Sequence, residues 1–87
     1  MAPRSKAELV RSKEAVLLGR SIRRFRHEKG LSMASLSSKA DVSPKHLNKI
    51  ELGQGNPTVM MLHRIAETLD TTVTQIMCAA EEEEGKE

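Results

Sequence analysis

Apolar residues recur along this chain at helical spacing, and nowhere at the two-residue spacing of a strand. Ala15, Leu18, Ile22 and Phe25 follow one another at intervals of three and four, one stripe of a helix. Lys29-Gly30 closes that stretch, a cation in the last turn followed by a glycine free to adopt the left-handed conformation. Ser32 is the next N-cap, ahead of Ala34, Leu36 and Ala40. Asp41-Val42 makes a tight connection to Ser43, an N-cap with Pro44 at the first helical position, where a missing N–H costs nothing. Leu47 and Ile50 are the inward pair of this third helix. Gly53 to Pro57 is a loop by composition. Thr58 caps a fourth helix carrying Val59, Leu62, Ile65, Ala66 and Leu69. Thr72 with Gln75 forms a capping box for a short fifth helix with Val73, Ile76 and Met77. The pattern predicts an all-α chain of five helices.

The two ends are less regular. Leu9, Val10, Val16 and Leu17 fall on a second face of a helix continued upstream. This predicts an extended first helix from residue 9, its second face covering another helix, behind a flexible N-terminus over 1–8. A frayed, lysine-rich start with a few chance apolar residues is the competing reading. At the other end, Glu81 to Glu84 and Gly85 to Glu87 predict a disordered acidic tail over 80–87, leaving 9–79 as the folded domain.

Composition narrows the chemistry. Eighty-seven residues make one domain, small enough that oligomerisation would add useful stability. Phe25 is the only aromatic residue, so the core is aliphatic and no stacking platform for single-stranded nucleic acid is available. Cys78 is the only cysteine, which excludes an intrachain disulfide framework and points to a reducing compartment. With no activating neighbour, it is expected as a small buried or half-buried apolar residue. Apolar runs stop at four residues and the N-terminus lacks a hydrophobic signal segment, so a soluble cytoplasmic protein is expected. His27, His46 and His63 share no metal-ligand spacing, and no nucleophile–base set exists. The expectation is a protein with no catalytic residues, no metal and no cofactor.

Charge is unevenly placed. Residues 1–65 carry a net +8 and residues 66–87 a net −6, within an overall +2. A basic body is the profile of a polyanion binder, although a solvated charged surface gives the same count.

Met33 to Glu51 then reads as two short helices joined by a tight turn, the helix-turn-helix pattern. It supplies small residues where the helices touch (Ser37, Ala40), an apolar plug (Val42) and two anchors (Leu47, Ile50). Around it stand Leu18-Gly19-Arg20-Ser21-Ile22-Arg23, Arg26, Lys29-Gly30-Leu31-Ser32, Ala40-Asp41-Val42-Ser43, Ile50-Glu51-Leu52-Gly53, Asn56-Pro57-Thr58 and Leu62 with Arg64-Ile65-Ala66. From about Leu18 to Met77 the chain resembles the lambda-repressor/Cro-like (XRE) family of helix-turn-helix regulators. The resemblance implies a compact five-helix domain that binds double-stranded operator DNA as a homodimer and controls transcription.

The residues can be assigned on that frame. The third helix enters the major groove with Pro44, Lys45, Asn48 and Lys49 against base edges. Ser32 and Ser43 at helix N-termini are candidates for phosphate oxygens, joined by His46, Gln54 and Asn56. Met33 holds the position at which the family's usual Gln clamps a phosphate, and Asp41 and Ser37 replace the usual Gly and Ala. Arg26 and Glu51 match a family ion pair between the first and third helices, with Arg26 also a candidate phosphate contact. Val73, Ile76, Met77 and Ala80 are expected at the dimer interface, with Val59 or Met60 as additions. The function expected is a repressor or autoregulator. The alternative is a protein-interaction module such as an antitoxin, whose N-terminal helix or acidic tail holds a partner protein.

Overall fold

The structure, a computed structural model of the chain, describes residues 12–86. Five helices follow in order: α1 (Lys13–Lys29), α2 (Met33–Ala40), α3 (Pro44–Glu51), α4 (Val59–Thr68) and α5 (Val73–Lys86). Each starts at a hydroxyl side chain that takes up an amide the helix itself leaves without a partner. Ser12 accepts from Ala15 N–H, Ser32 from Ser35, Ser43 from His46, Thr58 from Met61 and Thr72 from Gln75, all at 3.0–3.1 Å. Ends are equally local. Gly30 (φ 75°), Asp41 (φ 57°) and Asp70 (φ 57°) adopt the left-handed conformation after α1, α2 and α4.

The helices close around one aliphatic core. Ile22, Leu36, Leu47, Ile50, Ile65 and Ile76 are fully buried, one or two from each helix. Leu18, Phe25, Leu31, Met33, Met61, Leu62 and Val73 pack against that cluster from its edge. α1 is the spine: it packs on α5 along one side and on α3 along another, while α2 rests on α3 and α4. Buried Ser21 fixes the α1–α5 contact by donating its hydroxyl to the Ile76 carbonyl at 2.8 Å.

The ends add detail to the sequence pattern. Ser12 is extended, so the described helix begins at Lys13; Leu9 and Val10 lie outside the described residues, as do residues 1–8. Leu17, on the second face, is buried. Along the acidic run, α5 continues through Glu81 to Glu84 as far as Lys86. Composition misses this because the stabilising partners are distant in sequence. Ala79 and Ala80 are buried, Glu83 pairs with Arg24 (3.0 Å), and Glu84 pairs with Lys13 (2.8 Å). Glutamate is also a good helix former. Cys78 is exposed on this helix rather than buried.

Candidate nucleic-acid interface

The segment from α2 to α3 is held as a unit by its turn. Asp41 sits at φ 57°, ψ 47°, reversing the chain, and the Val42 amide donates to the Ser37 carbonyl at 3.0 Å. Val42 is then buried between the two helices. A tie outside the sequence reading comes from α4: Arg64 Nε donates to the Ala40 carbonyl at 3.0 Å, satisfying the last turn of α2.

α3 is fixed at its other end by α1. Arg26 meets Glu51 through two parallel hydrogen bonds, Nε–Oε2 at 2.8 Å and Nη2–Oε1 at 3.0 Å, and both side chains are nearly out of solvent. The remaining nitrogen, Nη1, donates to the Leu31 carbonyl at 3.1 Å. A paired geometry of this kind is among the stronger hydrogen-bonded contacts, and breaking one partner leaves a buried charge. Hydrogen bonding to Glu51 outweighs burial and raises the Arg26 pKa above its ordinary value. The stabilisation carried by that raised pKa is present at neutral pH and falls away as pH rises into strong alkali. Gly19 lets the helices meet: a Cβ there would lie 2.4 Å from the Ile50 carbonyl oxygen and 2.6 Å from that of Glu51.

With Leu47 and Ile50 turned fully inward, Pro44, Lys45, Asn48 and Lys49 are exposed and His46 is half-buried. Lys45, Asn48 and Lys49 make no side-chain hydrogen bond or ion pair among the described residues. Ser43, Lys45, His46, Lys49, Gln54 and Gly55 line one shallow hollow beside α3. A second hollow, in front of the α3 N-terminus, is lined by Ala34, Ser37, Ser38, Asp41, Val42, Ser43 and Pro44. Ser32 and Ser43 are exposed, and each uses its hydroxyl oxygen to accept from its own helix, which leaves the hydroxyl proton free to donate outward. Gln54 and Asn56 are exposed in the loop after α3.

Several assigned roles do not survive this geometry. Arg26 is removed from the phosphate set, because it is buried with all three nitrogens engaged internally. Met33 is half-buried against the core cluster; it packs rather than facing a phosphate. Ile76 is fully buried and Ala80 nearly so within the protomer, so neither is surface for a partner. Val73 is half-buried on the core. Met77 remains 47% exposed, and the largest exposed apolar side chains are Val59 (67%) and Met60 (65%). The sequence reading passed over the rim of the second hollow, Ala34, Ser38 and the Asp41 carboxylate. Its signal was the turn itself, which places residues at the end of α2 beside the start of α3.

Comparison with known proteins agrees with the geometry. The profile of the helix-turn-helix family matches residues 22–76. The HTH-type transcriptional regulator SinR of Bacillus licheniformis is 33% identical over 69 residues, which cover 78% of this chain and 62% of SinR. The chain thus spans somewhat under two thirds of that relative's length. Among solved structures, the clp gene regulator ClgR of Corynebacterium glutamicum superposes with a TM-score of 0.78 at 26% identity, covering 80% of this chain and 74% of ClgR. SinR, described as the master regulator for biofilm formation and solved in complex with DNA, gives a TM-score of 0.66 at 34% identity, covering 69% of this chain and 97% of that one. The turn, the buried plug, the paired anchors under α3 and these matches together place the chain in the helix-turn-helix family of lambda-repressor/Cro-like regulators.

Proposed function

We propose that this protein binds double-stranded DNA sequence-specifically and regulates transcription, acting in the cytoplasm with α3 in the major groove. The observation that carries the reading is the outward face of α3. Lys45, Asn48 and Lys49 project, without partners among the described residues, beside the exposed N-termini of α2 and α3, on a helix pinned at both ends. Unspent donors are what base edges require: Lys donates to guanine O6 or N7, Asn pairs with adenine, and Pro44 contacts a thymine methyl. Ser32, Ser43, His46, Gln54 and Asn56 are grouped around that face, where backbone phosphates would run. Relatives named as transcriptional regulators, and one solved with DNA, favour this reading over an antitoxin-type module. No cofactor or catalytic step enters it.

One helix-turn-helix offers few base contacts, so the active form is a homodimer on half-sites about 34–36 Å apart. Its contact is centred on Val59 and Met60 at the start of α4, with Met77 at the edge. A footprint of the purified protein on its own upstream DNA tests binding, site symmetry and autoregulation together. The reading expects a protected, two-fold symmetric site, and Asn48→Ala or Lys49→Ala should each weaken it by about 1–3 kcal/mol. Unchanged affinity and base preference in both variants would overturn the assignment.

A further inference from the structure

The last carbonyls of a helix find no partner within it and take whatever donors the fold brings. At the end of α2 the amides of Asp41 and Val42 turn back onto the Ser38 and Ser37 carbonyls, and no backbone amide of the following turn reaches the carbonyl of Ala40. Ala40 is itself buried. Its partner is Arg64, 24 residues on, whose Nε donates at 3.0 Å. The guanidinium also stands at the negative end of the α2 dipole. This is the only side-chain hydrogen bond between α2 and α4 among the described residues, and Nε alone makes it.

A cap from the following turn would serve α2 equally well. A cap taken from α4 does more, because it fixes α4 against the turn that sets α3. Met60, exposed, stands four residues before Arg64 on the same face of α4. Gly19 and the Arg26–Glu51 pair fix the far end of α3 on α1, and Arg64 fixes the turn before its near end on α4.

We propose that Arg64 is a positioning residue for operator recognition. By holding the Ala40 carbonyl it carries the geometry of the α4 contact to the turn at Asp41-Val42 and so to α3, and it sets the half-site spacing that a dimer accepts. The inference rests on the reading that two copies pair through Val59 and Met60. In such a pair the separation of the two α3 helices depends on the angle each helix-turn-helix makes with its own α4. Arg64 touches neither base nor phosphate in this role.

The test joins spacing to the bond itself. One added base pair moves a half-site by about 3.4 Å and turns it by about 34° around the duplex. The operator defined by the footprint, and versions with one base pair added or removed between half-sites, are titrated with parent, Arg64→Met and Arg64→Lys protein. Arg64→Met keeps the apolar stem and loses the donor. It should lower the preference for the natural spacing by about tenfold, within the usual range of coupling between sites. Arg64→Lys restores a donor and should recover most of that preference. Both variants should keep the parent's salt slope and dimer dissociation constant. In protein free of DNA, the Ala40 carbonyl carbon resonance should shift in Arg64→Met and return toward the parent's in Arg64→Lys.

An unchanged spacing preference in Arg64→Met would overturn the proposal and leave the proposed function standing, as would an unmoved Ala40 resonance. Equal loss of affinity at every spacing would reduce the bond to a structural cap and overturn it too. A salt slope shallower by about two units would make Arg64 a phosphate contact instead. Parent protein blind to spacing would overturn the paired mode, and this inference with it. If Arg64→Met is too unstable to titrate, Arg64→Gln, whose stem is too short to reach Ala40, is read against Arg64→Lys by the same criteria.

Discussion

Asp41 is the residue at which the fold and the proposed binding are in tension. A side chain at φ 57° costs roughly 1–2 kcal/mol relative to the usual right-handed region, although aspartate tolerates it better than most. Its carboxylate also lines the hollow before the α3 N-terminus, shared with Ser43 and Pro44, where a phosphate would approach. Asp41→Gly removes both the strain and the negative charge, at an entropic cost of roughly 0.5–1 kcal/mol. The expected outcome is a gain of about 0.5–1 kcal/mol in denaturant unfolding together with tighter operator binding. A loss of stability would show that the carboxylate supports the turn. The neighbouring serines were legible from sequence because capping is a local act: the hydroxyl and the amide it satisfies are three residues apart. The fate of Arg26 was not legible in the same way. Its pairing with Glu51 could be matched to a pattern, but the third bond, to the Leu31 carbonyl, depends on how the chain leaves α1.

Among the elements, α1 and α3 are related by a contact with no spare room. Gly19 lies under the two carbonyls that end α3, so Gly19→Ala must push the recognition helix outward or tilt it. The Arg26–Glu51 pair spans the same junction and resists that movement. Overpacking of this kind costs about 1–3 kcal/mol, and operator affinity should fall more than the stability loss accounts for, while non-specific binding persists. Thermal unfolding and a paired titration on operator and random duplex check this; equal loss on both duplexes would dissociate α3 placement from recognition. α5 was the element least readable from sequence. Val73, Ile76, Met77 and Ala80 share a helical stripe, and a stripe does not say whether it faces its own core or a partner. Only the packing on α1, fixed by Ser21 and Ile76, assigns Ile76 and Ala80 to the interior. The helicity of the acidic run was hidden for a related reason, since Arg24 and Glu83 are 59 residues apart.

For the molecule as a whole, the proposed dimer and the charge distribution set the expected behaviour in solution. Met60→Lys should yield a folded monomer that keeps weak non-specific binding and loses most operator affinity; sedimentation on and off the operator checks it. A wild-type monomer under both conditions at high micromolar concentration would rule out the paired mode. Salt sensitivity should follow the cations that lack partners. Log affinity falls with log salt by about 0.9 per phosphate neutralised. Lys45→Gln should therefore shallow the slope by about two units for a dimer, and Lys13→Gln, already paired with Glu84, should leave it nearly unchanged. A cation in the major groove displaces condensed counterions much as one on the backbone does, so a slope unchanged in Lys45→Gln would take Lys45 off the DNA face.

The internal pairing of acids and bases has a consequence before any contact with DNA is made. Lys13 and Arg24 are matched by Glu84 and Glu83, and Lys29 by Asp70, so much of the positive charge of α1 is cancelled where it stands. Lys45 and Lys49 make no ion pair among the described residues. Glu83 and Glu84 are cancelled by the same pairs, so what remains is Glu81 and Glu82 on α5 against Lys45 and Lys49 on α3, an uneven field on which a duplex exerts a torque from beyond touching distance. Productive orientation would begin during approach, raising the fraction of collisions that arrive with α3 forward, most of all in dilute electrolyte.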